Sequence, residues 1–150
     1  RISASDRGDY FLGTDLSYED IKKEGKIAAE DYAFQTMGLE TVDGFETIVI
    51  EGIPKDEETA KELGYGRVLW RIDPTIWMSR KAEMWDVGGN PLKVVHNSDI
   101  RKVSGIWTTH RIDVENLKTG HRTIFTFAEV DYGTEVDEAM FEQRSLKRGR

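Results

Sequence analysis

Ile106-Trp107-Thr108-Thr109-His110-Arg111-Ile112-Asp113-Val114-Glu115 alternates with a period of two. Ile106, Thr108, His110, Ile112 and Val114 fall on one side, and Trp107, Thr109, Arg111, Asp113 and Glu115 on the other. Successive side chains of a strand point to opposite faces, so this is a half-buried β-strand with one apolar and one charged face. The residues around it repeat the pattern. Short stretches rich in β-branched and aromatic side chains recur between turn signals. They are Tyr32–Val42, Phe45–Ile53, Arg67–Ile72, Met78–Trp85, Leu92–Lys102, Ile106–Glu115 and Arg122–Tyr132. Asp43-Gly44 suits a two-residue hairpin because both positions tolerate positive φ.

The connections are too short for crossover helices, which predicts an antiparallel meander of about seven strands. Asp56–Leu63 within the charged connector Pro54–Gly66 predicts one or two helical turns. Ser17-Tyr18-Glu19-Asp20 places a hydroxyl N-cap before acids, and Val136-Asp137-Glu138 starts a short helix to about Arg144. Residues before Tyr32 otherwise read as irregular.

Alternation assigns the faces. Val68, Trp70 and Ile72 share a side; so do Met78, Arg80, Ala82 and Met84, and so do Thr123, Phe125 and Phe127. Trp85 and Trp107 fall on the opposite face. An antiparallel sheet with one apolar face must cover it, and two short helical pieces supply too little. The sheet must therefore curl on itself, bind apolar matter, dimerise, or be completed by further sequence.

Composition narrows the function. The chain has 150 residues, no cysteine, 28 acids and 21 bases. This length suits one domain, and thiol catalysis, disulfides and cysteine-based zinc sites are excluded. A net charge of −7 argues against nucleic acid as a partner, because that needs a basic footprint. Residues 1–66 hold 16 acids and 7 bases, which reads as acidic loops ahead of the main sheet. No apolar run approaches the roughly 20 residues of a membrane-spanning helix. The chain begins with Arg1 rather than Met, as a processed chain or a piece of a longer one would.

Catalytic and metal signatures are weak. His96, His110 and His121 lie on or beside different strands, and alternation allows His96 and His110 on one face. Without a His-Glu-x-x-His pattern they read as ordinary histidines, and no metal site is assigned. Glu129 and Asp131 would face one way on the last strand, a carboxylate pair open to a hydrolase reading. Gly64-Tyr65-Gly66 lacks the third glycine, preceding strand and following helix of a dinucleotide site. No nucleophile elbow or cofactor site is read.

Several motifs, in order, resemble a known family. Leu12–Asp20, Gly38–Gly44, Val68–Asp73, Ser104–Trp107, Asn116–Thr123 and Phe141–Leu146 are similar to segments of bacterial outer-membrane lipoprotein-sorting proteins, relatives of the LolA and LolB carriers. The match runs from about Phe11 to the end. The resemblance implies an unclosed β half-barrel whose concave side is covered by helices and receives acyl chains. It also implies a single LolA-like domain over residues 1–150, forming the C-terminal part of a longer chain, and a periplasmic or cell-envelope location without catalytic residues.

The expected function is a non-enzymatic carrier that shields lipoprotein acyl chains or other lipid, with an envelope membrane protein as a partner. Val68, Trp70, Met84, Ile112, Val114, Phe125 and Phe127 would supply the apolar contact. The alternative is an interaction module whose apolar face docks a protein partner or a second copy of the chain.

Overall fold

The computed structural model describes residues 10–17, 20 and 29–135. The helix expected from Val136 and the Phe141–Leu146 motif lie outside the described residues.

Seven strands form one unclosed antiparallel sheet in strictly sequential order. They are β1 (Tyr32–Val42), β2 (Phe45–Pro54), β3 (Arg67–Asp73), β4 (Met78–Trp85), β5 (Pro91–Val103), β6 (Ile106–Asn116) and β7 (Arg122–Thr126). The helix α1 (Glu57–Leu63) joins β2 to β3. Asp56 caps it by accepting a bond of 2.7 Å from the Thr59 amide, and its last turn closes on Gly64. Between β1 and β2, Asp43 and Gly44 have φ of 51° and 82°, the positive values that a two-residue hairpin requires. Ahead of the sheet, Ser17 and Asp20 make a pair of reciprocal bonds. The Ser17 amide donates to Asp20 Oδ2 at 2.8 Å and the Asp20 amide to Ser17 Oγ at 3.2 Å.

Register carries the two-faced pattern across the sheet. Gly52 faces Val68, Val68 faces Met84, Met84 faces Lys93 and Lys93 faces Asn116. Ile50, Trp70, Ala82, Val95, Val114 and Thr123 form the next row. The core lies where α1 and the following loop meet this face. Leu63, Tyr65, Val68, Trp70, Ile72 and Ala82 are buried together, with Tyr32, Ile50, Met84, Leu92 and Val95 packed against them.

Three expectations are corrected. The last strand ends at Thr126 rather than Tyr132, because Asp131 organises a turn by accepting from the Gly133 amide at 2.7 Å and from the Thr134 hydroxyl. Arg80 does not point to the apolar side. The β3–β4 register slips between Arg71 and Ile72, a bulge at Arg80 that shifts the alternation beyond it, so Met78, which pairs with Asp73, also leaves the apolar side. Arg80 thereby joins Phe45 and His96 on the charged side. His96 and His110 lie on opposite faces, since His96 pairs with Asp113, an odd number of residues from His110.

Candidate functional site

The seven residues expected to touch a ligand share the apolar face, and the structure divides them by access. Val68 and Val114 are 0 % exposed and Trp70 is 7 % exposed, so these three are core. Met84, Ile112 and Phe125 are half-buried. Ile112 and Phe125 sit directly opposite each other on β6 and β7. Phe127, just past β7, is 42 % exposed. At the other end of the sheet the face continues through Phe34 and Leu39 of β1, which are exposed.

Trp70 owes its position to a glycine. A Cβ at Gly52 would lie 2.4 Å from Trp70 Cζ3, so only a residue without a side chain lets the indole lie over β2. Tyr32 meets the Trp70 ring edge-on at 5.2 Å and Phe34 packs at 6.0 Å. Such aromatic contacts add to plain area burial.

Next to this cluster the apolar face turns polar. Lys93 on β5 is 2 % exposed, and its ammonium donates to the Asp15 carbonyl at 3.0 Å and to Asp20 Oδ2 at 2.9 Å. The Tyr65 hydroxyl donates to Asp20 Oδ1 at 2.6 Å. Thr123 Oγ1 donates to Asp15 Oδ2 at 2.6 Å, accepts from the Asp15 amide at 3.1 Å, and His121 Nδ1 lies 2.7 Å from the same carboxylate. The Asn116 amide donates to the Tyr10 hydroxyl at 3.1 Å. Together these bonds fasten residues 10–17 and Asp20 across the sheet.

Burial pushes the Asp20 carboxyl upward, but the Lys93 charge and the Tyr65 bond outweigh it and hold it below the ordinary aspartate value. Asp15 behaves alike, with burial overcome by its bonds to Thr123 and His121. Burial, reinforced by Asp20, drives the Tyr65 hydroxyl well above its usual pKa, so it stays a donor.

The charged face is not flat. The right-handed twist of the sheet swings the β1–β2 tip across β3 and β4, and Asp43 Oδ2 reaches His96 Nε2 on β5 at 2.6 Å. A hollow of about 630 Å³ opens there, lined by Glu40, Val42, Lys81, His96, Asp113 and Arg122 among others. Several of its charges are paired. Arg71 bridges Glu40 at 3.0 Å and Glu83 at 2.7 Å, and Asp113 is held by Arg111 at 2.7 Å and by Arg122. Arg80 is clamped by Asp73, with Nε at 2.9 Å and Nη2 at 2.7 Å, and lies 3.4 Å over the Phe45 ring.

The structure does not assemble the carboxylate pair considered for catalysis. Asp131 is committed to its turn, and the bonds from Thr134 and Gly133 lower its pKa. His110 is buried, its Nδ1 3.1 Å from the Thr108 carbonyl and 3.2 Å from the Asp99 carbonyl. Among the described residues no group of three or more His, Asp or Glu side chains is placed to hold a metal. Sequence reasoning missed the Lys93 cluster, whose partners lie 45 to 108 residues apart in the chain. The only local sign was a lysine at an inward position between Leu92 and Val94-Val95.

Comparisons with known proteins agree with this architecture. No curated protein sequence matches the chain. Among solved structures, a domain described as outer membrane lipoprotein-sorting from Vibrio parahaemolyticus superposes with a TM-score of 0.85 at 26 % identity, covering 99 % of this chain and 60 % of that one. A DUF1329 family protein from Desulfovibrio piger gives 0.85 at 28 % identity, covering 97 % and 59 %. A LolA superfamily protein from Nitrosomonas europaea shares the fold, with a TM-score of 0.69 at 23 % identity over 97 % and 62 %. The chain thus spans about three fifths of the length of these relatives. A family model described as "-like: Uncharacterized protein" matches residues 1–148. On that match the chain belongs to this uncharacterised family, and its fold is LolA-like.

Proposed function

We propose that this domain is a non-enzymatic lipid- or lipoprotein-binding carrier of the bacterial cell envelope, working on the periplasmic side in outer-membrane lipoprotein sorting. The observation that carries the reading is an apolar sheet face that continues beyond its covering. Half-buried Ile112 and Phe125 and exposed Phe127 form one strip, and exposed Phe34 and Leu39 form another. Met84, half-buried, adds a flexible thioether that adapts to irregular apolar partners. Each methylene buried contributes about 0.8 kcal/mol, so about ten of them would contribute about 8 kcal/mol, enough for micromolar retention. The likeness to a lipoprotein-sorting domain supports the same reading.

Native mass spectrometry and lipid extraction of the protein, purified together with the rest of its natural chain, test it. Acyl-bearing ligand should co-purify, and Phe125→Asp with Ile112→Asp should release it. A protein that never retains lipid or detergent would sink the carrier reading.

A second reading is an interaction module. Exposed Phe34, Met37 and Leu39 on the edge strand β1 favour it, since an open strand edge with apolar side chains can dock another protein. Light scattering decides between the two: concentration-dependent dimers that vanish in Leu39→Lys support docking, and a stable monomer counts against it.

A further inference from the structure

Among the described residues, β5 and β6 outrun both of their neighbours. Pairing of β4 with β5 ends at Lys81–His96, and pairing of β6 with β7 ends at Arg111–Thr126. The two middle strands go on pairing with each other through Ile100–Thr109, Arg101–Thr108, Lys102–Trp107 and Val103–Ile106. Ser104 and Gly105, with φ of 50° and 84°, close this arm in a two-residue turn. From Arg101 to Trp107 every residue except Val103 is exposed. A two-stranded ribbon standing alone is marginal in water, yet this one presents Ile106 at 49 % and Trp107 at 39 % exposure.

The chemistry of the arm is the same on both sides. Register puts Arg101 and Ile106 on one face, and Lys102 and Trp107 on the other. Each face therefore pairs a cation with an exposed apolar side chain. The Lys102 ammonium lies 5.2 Å over the Trp107 ring. In a chain of net charge −7, residues 100–112 hold Arg101, Lys102 and Arg111 and no acid. Asp99 stands at the base of the arm, 3.8 Å from Arg101. The acidic β1–β2 tip is held back at His96 by Asp43, about 23 Å of strand rise short of Val103.

A groove on a protein partner would grip one face of such an arm and leave the other in water. A fluid layer surrounds both. At a bilayer surface, tryptophan sits at the level of the headgroups while arginine and lysine reach the lipid phosphates. The arm also has the right length, since Arg101 to Ser104 spans about 10 Å of strand rise, the depth of the headgroup–acyl boundary.

We propose that the Arg101–Trp107 arm inserts into the surface of a bilayer containing anionic lipid and docks the domain there. Ile106 shares its face with Ile112, and the Phe127 amide bonds the His110 carbonyl between them at 2.9 Å, so the apolar strip leads from the arm. Docking stands by itself; only the use of the arm to pass acyl chains between bilayer and strip rests on the carrier reading.

The test floats the protein, together with the rest of its natural chain, with vesicles of phosphatidylcholine alone and of phosphatidylcholine mixed with phosphatidylglycerol. Binding should require the mixed vesicles. Arg101→Gln/Lys102→Gln should weaken it about 25-fold, about fivefold for each cation. Ile106→Ser/Trp107→Ser should weaken it at least about tenfold. All four side chains are exposed, so these variants should melt with the parent. Chain-brominated lipid should quench the tryptophan emission of the parent, and Trp107→Phe should bind while losing most of that quenching. Trp77 on the β3–β4 turn, 74 % exposed, is the control, and Trp77→Ser should bind like the parent.

Equal binding to both kinds of vesicle, binding to neither, or a loss as large in Trp77→Ser as in the arm variants would overturn the proposal. Binding to envelope membranes alone, abolished by trypsin treatment of those membranes, would overturn it in favour of a membrane protein. Lipid retention is read separately. Phe125→Asp with Ile112→Asp should lose co-purified lipid and still float with mixed vesicles, so the carrier reading and the docking fail independently.

Discussion

Gly52→Ala tests whether the aromatic cluster is packed as described. The added Cβ would stand 2.4 Å from Trp70 Cζ3, 2.8 Å from Cη2 and 3.2 Å from Tyr32 Cδ1. Ordinary contact begins at 3.4 Å, so the indole must retreat by about 1 Å. Trp70 is buried between Tyr32 and Phe34, and it can retreat only by displacing them. Overpacking of this kind costs about 1–3 kcal/mol. Alanine recovers about 0.4–1 kcal/mol by restricting the unfolded chain. The net expectation is a loss of about 1.5 kcal/mol.

With a urea slope of about 2 kcal/mol per molar, the unfolding midpoint should fall by about 0.7 M. The cost should shrink in a Trp70→Leu background, giving a coupling of about 1 kcal/mol in a double-mutant cycle. A Gly52→Ala protein as stable as its parent in both backgrounds would refute the packing argument.

Arg80→Met should cost about 3 kcal/mol in chemical denaturation, because it strands the Asp73 carboxylate in a nearly dry site; adding Asp73→Asn should recover part of that loss. Asp15, Asp20 and Asp73 all have folded-state pKa values below the ordinary 3.8. Their stabilisation is present above about pH 4 and drains away as pH falls through the lowered values. Thermal melts from pH 7 to pH 2 should therefore drop steeply at the acid end, and Asp73→Asn should flatten that drop.

Much of the fold was legible because β-strands write their faces with a period of two. Ile112 and Val114 on β6, Val68 and Trp70 on β3, and the Asp43-Gly44 turn each declared their place locally. The helix Glu57–Leu63 was legible as one or two turns within Asp56–Leu63, and the structure adds Asp56 and Gly64 as its caps. Arg80 was misplaced because a bulge changes the phase of a strand without changing its composition. The end of β7 was overrun because Asp131 reads as a strand residue until its bonds to Gly133 and Thr134 are seen. The Lys93 cluster escaped for a different reason. Its geometry is made by side chains that the fold brings together from Asp15, Tyr65, Thr123 and His121, and no window of sequence contains them.

The sequential order of the sheet has a kinetic consequence. Each strand pairs only with the strands before and after it in the chain, so the sheet can grow by adding one hairpin at a time, each closing a short loop. The bonds of Asp15 to Lys93 and to Thr123 span 78 and 108 residues. They can form only once β5, β6 and β7 are in place. Docking of the leading segment through Asp15 therefore waits on the assembly of β5 to β7.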